Sequence, residues 1–235
     1  MHRFVLRVWL PDRPGALGQV ASRIGAVHGD VVGIEILEHG GGRAIDELVV
    51  ALPDAGLVDP LVREVAQVEG VDVEWVQPVD GDDHDPQLSL LEAAAALVEE
   101  AVPGAGLDRL CEDLRSAFAA GWCAVVARST ACTVAGAGAV PPAAWIDAFL
   151  DNSSHLDARV DRGADDVAWA DLPGRDRTLV LGRTGRPFRA RERRQLVVLA
   201  RIGAAVDAAA RPRAAGDSLT ASEAVTDRPG LRVDP

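Results

Sequence analysis

"LPDRPGALGQVASRIG", residues 10–25, joins two stretches of different periodicity, and its reading decides the fold. Upstream, Phe4, Leu6, Val8 and Leu10 alternate with Val5, Arg7 and Trp9, the period of two that marks a half-buried strand. Downstream, Leu17, Val20, Ala21, Ile24, Val27 and His28 recur at steps of three and four, which predicts a helix. The junction itself is Asp12-Arg13-Pro14-Gly15. The first turn of a helix carries N–H groups without intrahelical acceptors and a partial positive charge, so it attracts a carboxylate or a phosphate. Here Asp12 or Arg13 is placed to cap, Pro14 to begin the helix, and Gly15 to let a ligand approach the backbone. The same residues also make a plain strand-to-helix connection.

Working outward, "VVGIEILEH" and "AIDELVVAL" read as strands joined by a hairpin at "HGGGR". Leu57, Val58, Leu61, Val62, Val65 and Val68 mark a second helix, and "VDVEWVQPV" a fourth strand. The order is βαββαβ over residues 1–79: a ferredoxin-like α+β unit with two helices on one face of an antiparallel sheet. The opposite face, with Val5 and Trp9, is apolar enough to need cover, and a second copy of the chain is the expected cover.

With Asp12, Pro14, Gly15 and Leu17 in that spacing, residues 3–79 resemble an ACT domain, a regulatory module that binds amino acids and related effectors. The resemblance implies a homodimer. It also implies a ligand held between the first strand-to-helix loop of one domain and the second strand of a partner domain. By position, the implied ligand-binding residues are Asp12, Arg13, Pro14, Gly15, Ala16 and Leu17, with Asp30 and Val31 at the start of the second strand. Asp30 stands where the family commonly has Asn, which replaces an amide by an acceptor-only carboxylate.

"DGDDHDPQ", residues 80–87, is a polar break and is expected to be an acidic linker. Its Asp80, Asp82, Asp83, His84 and Asp85 lack the sixth-position Gly of a calcium loop, so no metal is assigned to it. Residues 88–210 then read as two helices, the strand "WCAVVARS", a second candidate strand "ACTVAG", and the helix "PAAWIDAFLDN". A hairpin of "DVAWADLP" and "RTLVLGR" follows, and "ARERRQLVVLARIGAAVDAAA" closes the region as a long helix. Leu181, Gly182, Phe188, Leu196, Leu199 and Ile202 give residues 177–209 a resemblance to a GAF domain. That resemblance implies a six-stranded sheet, used either for packing and dimerisation or as a second sensor. Residues 211–235 are rich in Pro, Ser, Thr, Gly and charge, and read as a disordered tail.

Composition narrows the function classes. With Lys+Arg 24 against Asp+Glu 36, the net charge of −12 argues against a nucleic-acid-coating protein. Three cysteines at wide spacing offer neither a disulfide framework nor a zinc set, which points to a reduced, cytoplasmic setting. No uncharged apolar run approaches the roughly 18 residues of a membrane span. Gly15 and Gly18 lack the third glycine of a dinucleotide fingerprint, and the chain has no lysine for a phosphate-binding loop, so no cofactor is expected.

Ser153, Ser154 and His155 offer a nucleophile and a base, but sequence neighbours rarely hold the needed geometry and no nucleophile elbow is present. Asp165 with Asp166, and Glu99 with Glu100, read as solvated pairs. The expectation is a non-enzymatic regulatory protein, with an enzyme pocket in the C-terminal domain or nucleic-acid binding as alternatives. The latter rests on nine arginines between Arg175 and Arg201, faced locally by only Asp176 and Glu192. The acidic N-terminal domain, an anionic ligand and nucleic acid are the possible partners of that run, and the tethered acidic domain ranks first.

Overall fold

The computed structural model describes residues 1–79, 85–99, 105–153 and 166–210. Two α+β units follow one another along the chain. The first comprises β1 (His2–Pro11), α1 (Ala16–Ala26), β2 (Asp30–Gly40), β3 (Arg43–Leu52), a 3-10 turn at Ala55–Leu57, α2 (Val58–Val65) and β4 (Asp72–Val79). The strands form an antiparallel sheet in the order β2-β3-β1-β4.

Alternation along the central strands does what the sequence predicts. Leu6 and Val8 of β1, with Leu48 and Val50 of β3, meet Val20 and Ile24 of α1 and Leu61 and Val65 of α2 in one buried cluster. Each such side chain contributes about 1.5–3 kcal/mol on burial, which is what holds the two helices to this face.

The second unit comprises α3 (Pro86–Glu99), α4 (Ala105–Ala117), β5 (Trp122–Ala127), β6 (Cys132–Gly138), α5 (Ala143–Asn152), β7 (Val167–Asp171), β8 (Arg177–Gly182) and α6 (Ala190–Ala210). Asp85 lies at the head of α3. Its carboxylate accepts from the N–H groups of Gln87 at 2.9 Å and Leu88 at 3.0 Å, and Pro86 opens the helix without a wasted donor. The acidic stretch assigned to a linker is therefore structured from Asp85 onward, while residues 80–84 lie outside the described ones.

The second sheet runs β6-β5-β8-β7. Cys123 and Val125 of β5, with Leu179 and Leu181 of β8, face Leu114 of α4 and Leu196 of α6. Ala124, Val126 and Val180 face Ile146 and Leu150 of α5 on the other side. Burial on both faces explains why "TLVLG" is a continuous apolar run instead of an alternating one. This second sheet has four strands among the described residues, two fewer than the GAF resemblance implies; a second α+β sheet domain is what the structure shows. Ser154, His155, Asp165, Glu100 and the tail 211–235 lie outside the described residues. Among those described, no helix is long and apolar enough to cross a membrane.

The exposed face expected on β1 is covered by the second unit of the same chain. Val5, Arg7, Leu37 and Ile45 are all buried there, at 1–3% exposure. Arg7 donates through Nε to Glu47 at 2.8 Å and through Nη1 to the Pro187 carbonyl at 3.1 Å, and it lies 3.7 Å from Glu192. Arg183 meets Glu192 at 2.8 Å and donates to the carbonyls of Phe118, Arg186 and Pro187. Trp75 is flanked by the Arg7 and Arg186 guanidinium groups, at 5.0 and 4.8 Å from its ring.

Further along, Arg189 grips both oxygens of Glu74, and Arg191 meets Glu35 at 2.7 Å. The arginine run thus serves the acidic N-terminal domain through Arg186, Arg189 and Arg191. Arg193 turns the other way, donating to the Val167 carbonyl, and Arg194 borders the groove between α3 and α6. Around Arg7, Trp75 and Arg183 the void left between the two units is only about 40 Å³, while an open cleft of about 530 Å³ remains where Arg3, Val32 and Ile34 face Asp85, Pro86 and Gln87.

Candidate ligand-binding site

A cavity of about 240 Å³ opens where β1 hands over to α1. Asp12, Arg13, Gly15 and Leu17 border it from the loop side; Ile36 and His39 of β2 and Ala44 and Asp46 of β3 form the rest of the wall. This end of the sheet is where Pro11 pairs with Arg43, so the C-terminal end of β1 sits beside the start of β3.

The loop is held by its own backbone. The Asp12 N–H donates to the Gly42 carbonyl at 3.0 Å, the Arg13 N–H to Pro11 at 2.8 Å and the Ala16 N–H to Arg13 at 3.3 Å. Neither Asp12 nor Arg13 caps the helix, contrary to the sequence reading. Gly15 is the cap residue, and no side chain bonds to the first turn. Its φ is +87°, the left-handed region, and a Cβ there would meet nothing within 4 Å. Glycine is needed at this position for the turn of the backbone and not for room. Gly15→Ala should therefore cost about 1–2 kcal/mol of stability, read as a lower urea midpoint with an unchanged slope. Without a side-chain cap, the first-turn N–H groups of Leu17 and Gly18 have no intrahelical acceptor and point toward the loop.

Of the residues expected in the site, Asp12, Arg13, Gly15 and Leu17 border the cavity. Pro14 shapes the turn, and Ala16, 1% exposed, faces the core. Asp30 and Val31, which the resemblance places on a partner domain's second strand, do not join them within one chain. Asp30 pairs with Ala51 at the opposite end of the sheet, because β2 runs parallel to β1 in space and only its far end, at Ile36 and His39, approaches the loop.

The sequence reading missed Asp46. It lies opposite Val8 of β1 and Ile36 of β2, on the helix-bearing face, and is 3% exposed. Its Oδ1 is buried with no hydrogen-bond partner. Burial, and then the nearby Asp12 carboxylate, raise its pKa above the ordinary carboxylate range. The signal was available in "AIDELVV": an acid at an inward position of an alternating strand, between Ala44 and Leu48.

The βαββαβ order, the glycine-capped α1 and the cavity beneath its first turn are the features of one family of regulatory modules. Residues 4–70 match the ACT domain. Among solved structures, the ACT domain from GTP pyrophosphokinase of Chlorobium tepidum is 16% identical, covering 34% of this chain and 100% of that one, with a TM-score of 0.28. An ACT domain protein from Streptococcus pneumoniae is 16% identical over 33% of this chain and 89% of that one, with a TM-score of 0.28. A formyltetrahydrofolate deformylase from Pseudomonas putida is also 16% identical, over 38% of this chain and 36% of that one, with a TM-score of 0.27. No curated protein matches the chain. The match to the ACT domain, a regulatory module for small ligands, stops just before β4, which completes the same sheet, and it leaves the second sheet domain unassigned.

Proposed function

We propose that this chain is a non-enzymatic, cytoplasmic regulatory protein whose ACT domain senses a free amino acid, with the second domain, GAF-like in its closing hairpin and helix, receiving the signal. The observation that carries the reading is the cavity beneath the first turn of α1, where N–H groups at the positive end of the helix meet open space suited to a carboxylate. Arg189 and Arg191 already engage Glu74 and Glu35, which supports an internal role for the arginine run over a nucleic-acid one. A homodimer, as the ACT resemblance implies, has the edge strand β2 at its disposal, where Val32, Ile34 and Ile36 are exposed.

The test is a thermal-shift screen of the twenty amino acids on the full chain. At least one should raise the melting temperature in a concentration-dependent way, since a ligand at a hundred times its dissociation constant stabilises the folded state by about 2.7 kcal/mol. A flat response across the set at millimolar concentration would remove the amino-acid reading.

A further inference from the structure

We propose that Asp46 is the docking group for the ligand's ammonium, so that the cavity takes a small zwitterion. This rests on the amino-acid reading above and adds to it the residue that reads the ligand's ammonium.

Among the described residues, the other fully buried charged side chains, Arg7, Arg183, Glu192 and Arg193, all have partners. Arg7, Arg183 and Glu192 satisfy one another and nearby carbonyls. Among the described residues, three buried polar side-chain atoms lack a partner: Trp75 Nε1, Arg189 Nε and Asp46 Oδ1. The first two are donors, and both residues sit at the junction of the two domains. Asp46 alone is an acceptor, and it borders the cavity.

An unpaired buried carboxylate destabilises the fold, and the neighbouring inward positions of β3, Ala44, Leu48, Val50 and Leu52, are all apolar. An apolar residue at position 46 would pack better, so the carboxylate is best explained by a partner that arrives from outside. The raised pKa has the same origin: burial first, then Asp12, both of which a bound cation would offset.

The rest of the cavity sets the ligand's other two groups. The first-turn N–H of Leu17, at the positive end of α1, suits a carboxylate, and Leu10, Leu17, Ile36 and Ala44 make an apolar wall. Opposed acceptor and donor ends match the two charges of an α-amino acid. A volume of about 240 Å³ has room for a free α-amino acid.

The experiment is calorimetric titration of the full chain with L-alanine and L-valine, each beside its 2-hydroxy counterpart, in which hydroxyl replaces ammonium. Wild type should bind the amino acids at least about tenfold more tightly than the hydroxy acids, the ratio for a charge-assisted contact. Asp46→Asn should lose that discrimination while melting at a higher temperature than wild type without ligand. Asp46→Ala, which removes the acceptor altogether, should lose the discrimination as well. Equal binding of amino and hydroxy acids by wild type, or unchanged discrimination in both variants, overturns the role of Asp46 and leaves the carboxylate site standing. If no amino or hydroxy acid binds wild type, the amino-acid reading falls together with this one.

Discussion

Glu192→Ala is expected to lower the unfolding free energy by about 3–5 kcal/mol, because it leaves two buried guanidinium groups without their shared carboxylate. Arg7 is 1% exposed and Arg183 5%, so neither can turn to solvent for compensation. Glu192 also accepts the Arg189 N–H at 2.7 Å, at the head of α6, so the variant loses a helix cap too. Burial acts to raise the Glu192 pKa, but the Arg183 and Arg7 guanidinium groups outweigh it and hold it below the ordinary carboxylate range. A depressed carboxyl pKa stabilises the fold above its unfolded value, and the contribution disappears as pH falls through the lower folded value. Wild type should therefore lose stability on acidification below the usual Glu range, and Glu192→Ala should flatten that part of the profile. Urea denaturation at a series of pH values measures both effects; a variant within 1 kcal/mol of wild type at neutral pH would show that the cluster contributes little.

Gly138→Ala is the second substitution with a large expected cost, and it strikes the other sheet. Gly138 ends β6 at φ +76°, and a Cβ built there would lie 2.3 Å from the Gly121 carbonyl oxygen. The left-handed backbone costs about 1–2 kcal/mol for a residue with a side chain. Overpacking against an immovable main-chain atom adds about 1–3 kcal/mol. Gly121 itself donates to Gly182 of β8 at 2.9 Å, so any shift spreads to the β5–β8 pairing. Circular dichroism melts should show a clear drop in midpoint, larger than for Gly15→Ala, where the added methyl meets open space. An equal or smaller drop would mean that the loop around Gly121 yields easily.

Much of this architecture was legible because its elements advertise their periods. The alternation of Phe4 to Leu10, and the spacing of Val20 and Ile24, appear in the structure as the two sides of one cluster. α6 was readable to both ends because a 21-residue run of Ala, Arg, Leu and Val contains no breaker but Gly203. Boundaries set by capping were less visible: Asp85 and Pro86 read as linker composition although they are a helix start.

The site was half legible. Asp12 to Leu17 announced a loop, but the glycine's purpose depended on a dihedral angle that composition does not encode. Asp30 and Val31 came from the family's two-chain geometry, and β2 is 11 residues long, so its start lies far from the loop that its end reaches. Asp46 was hidden because a single acid in an alternating strand becomes conspicuous only once its neighbours are known to point inward. The arginine run was legible as a charge and not as a set of directions. Arg189 and Arg191 reach Glu74 and Glu35, while Arg193 lies against its own domain.

The cover over Val5, Arg7, Leu37 and Ile45 has a consequence for how this chain comes apart. Swinging the two units away from each other would bring three apolar side chains and one buried guanidinium into water together, and would strand Glu192 and Arg183 on the other side. Arg7 sits mid-strand in β1 and is reached from the second unit by Pro187 and Glu192 at once, so opening the seam there breaks both contacts together. The sheet of the first unit and the head of α6 are therefore expected to melt as one cooperative block, seen as amide protons of both exchanging together. A chain that reads as two modules on a string is, along this seam, a single folding unit.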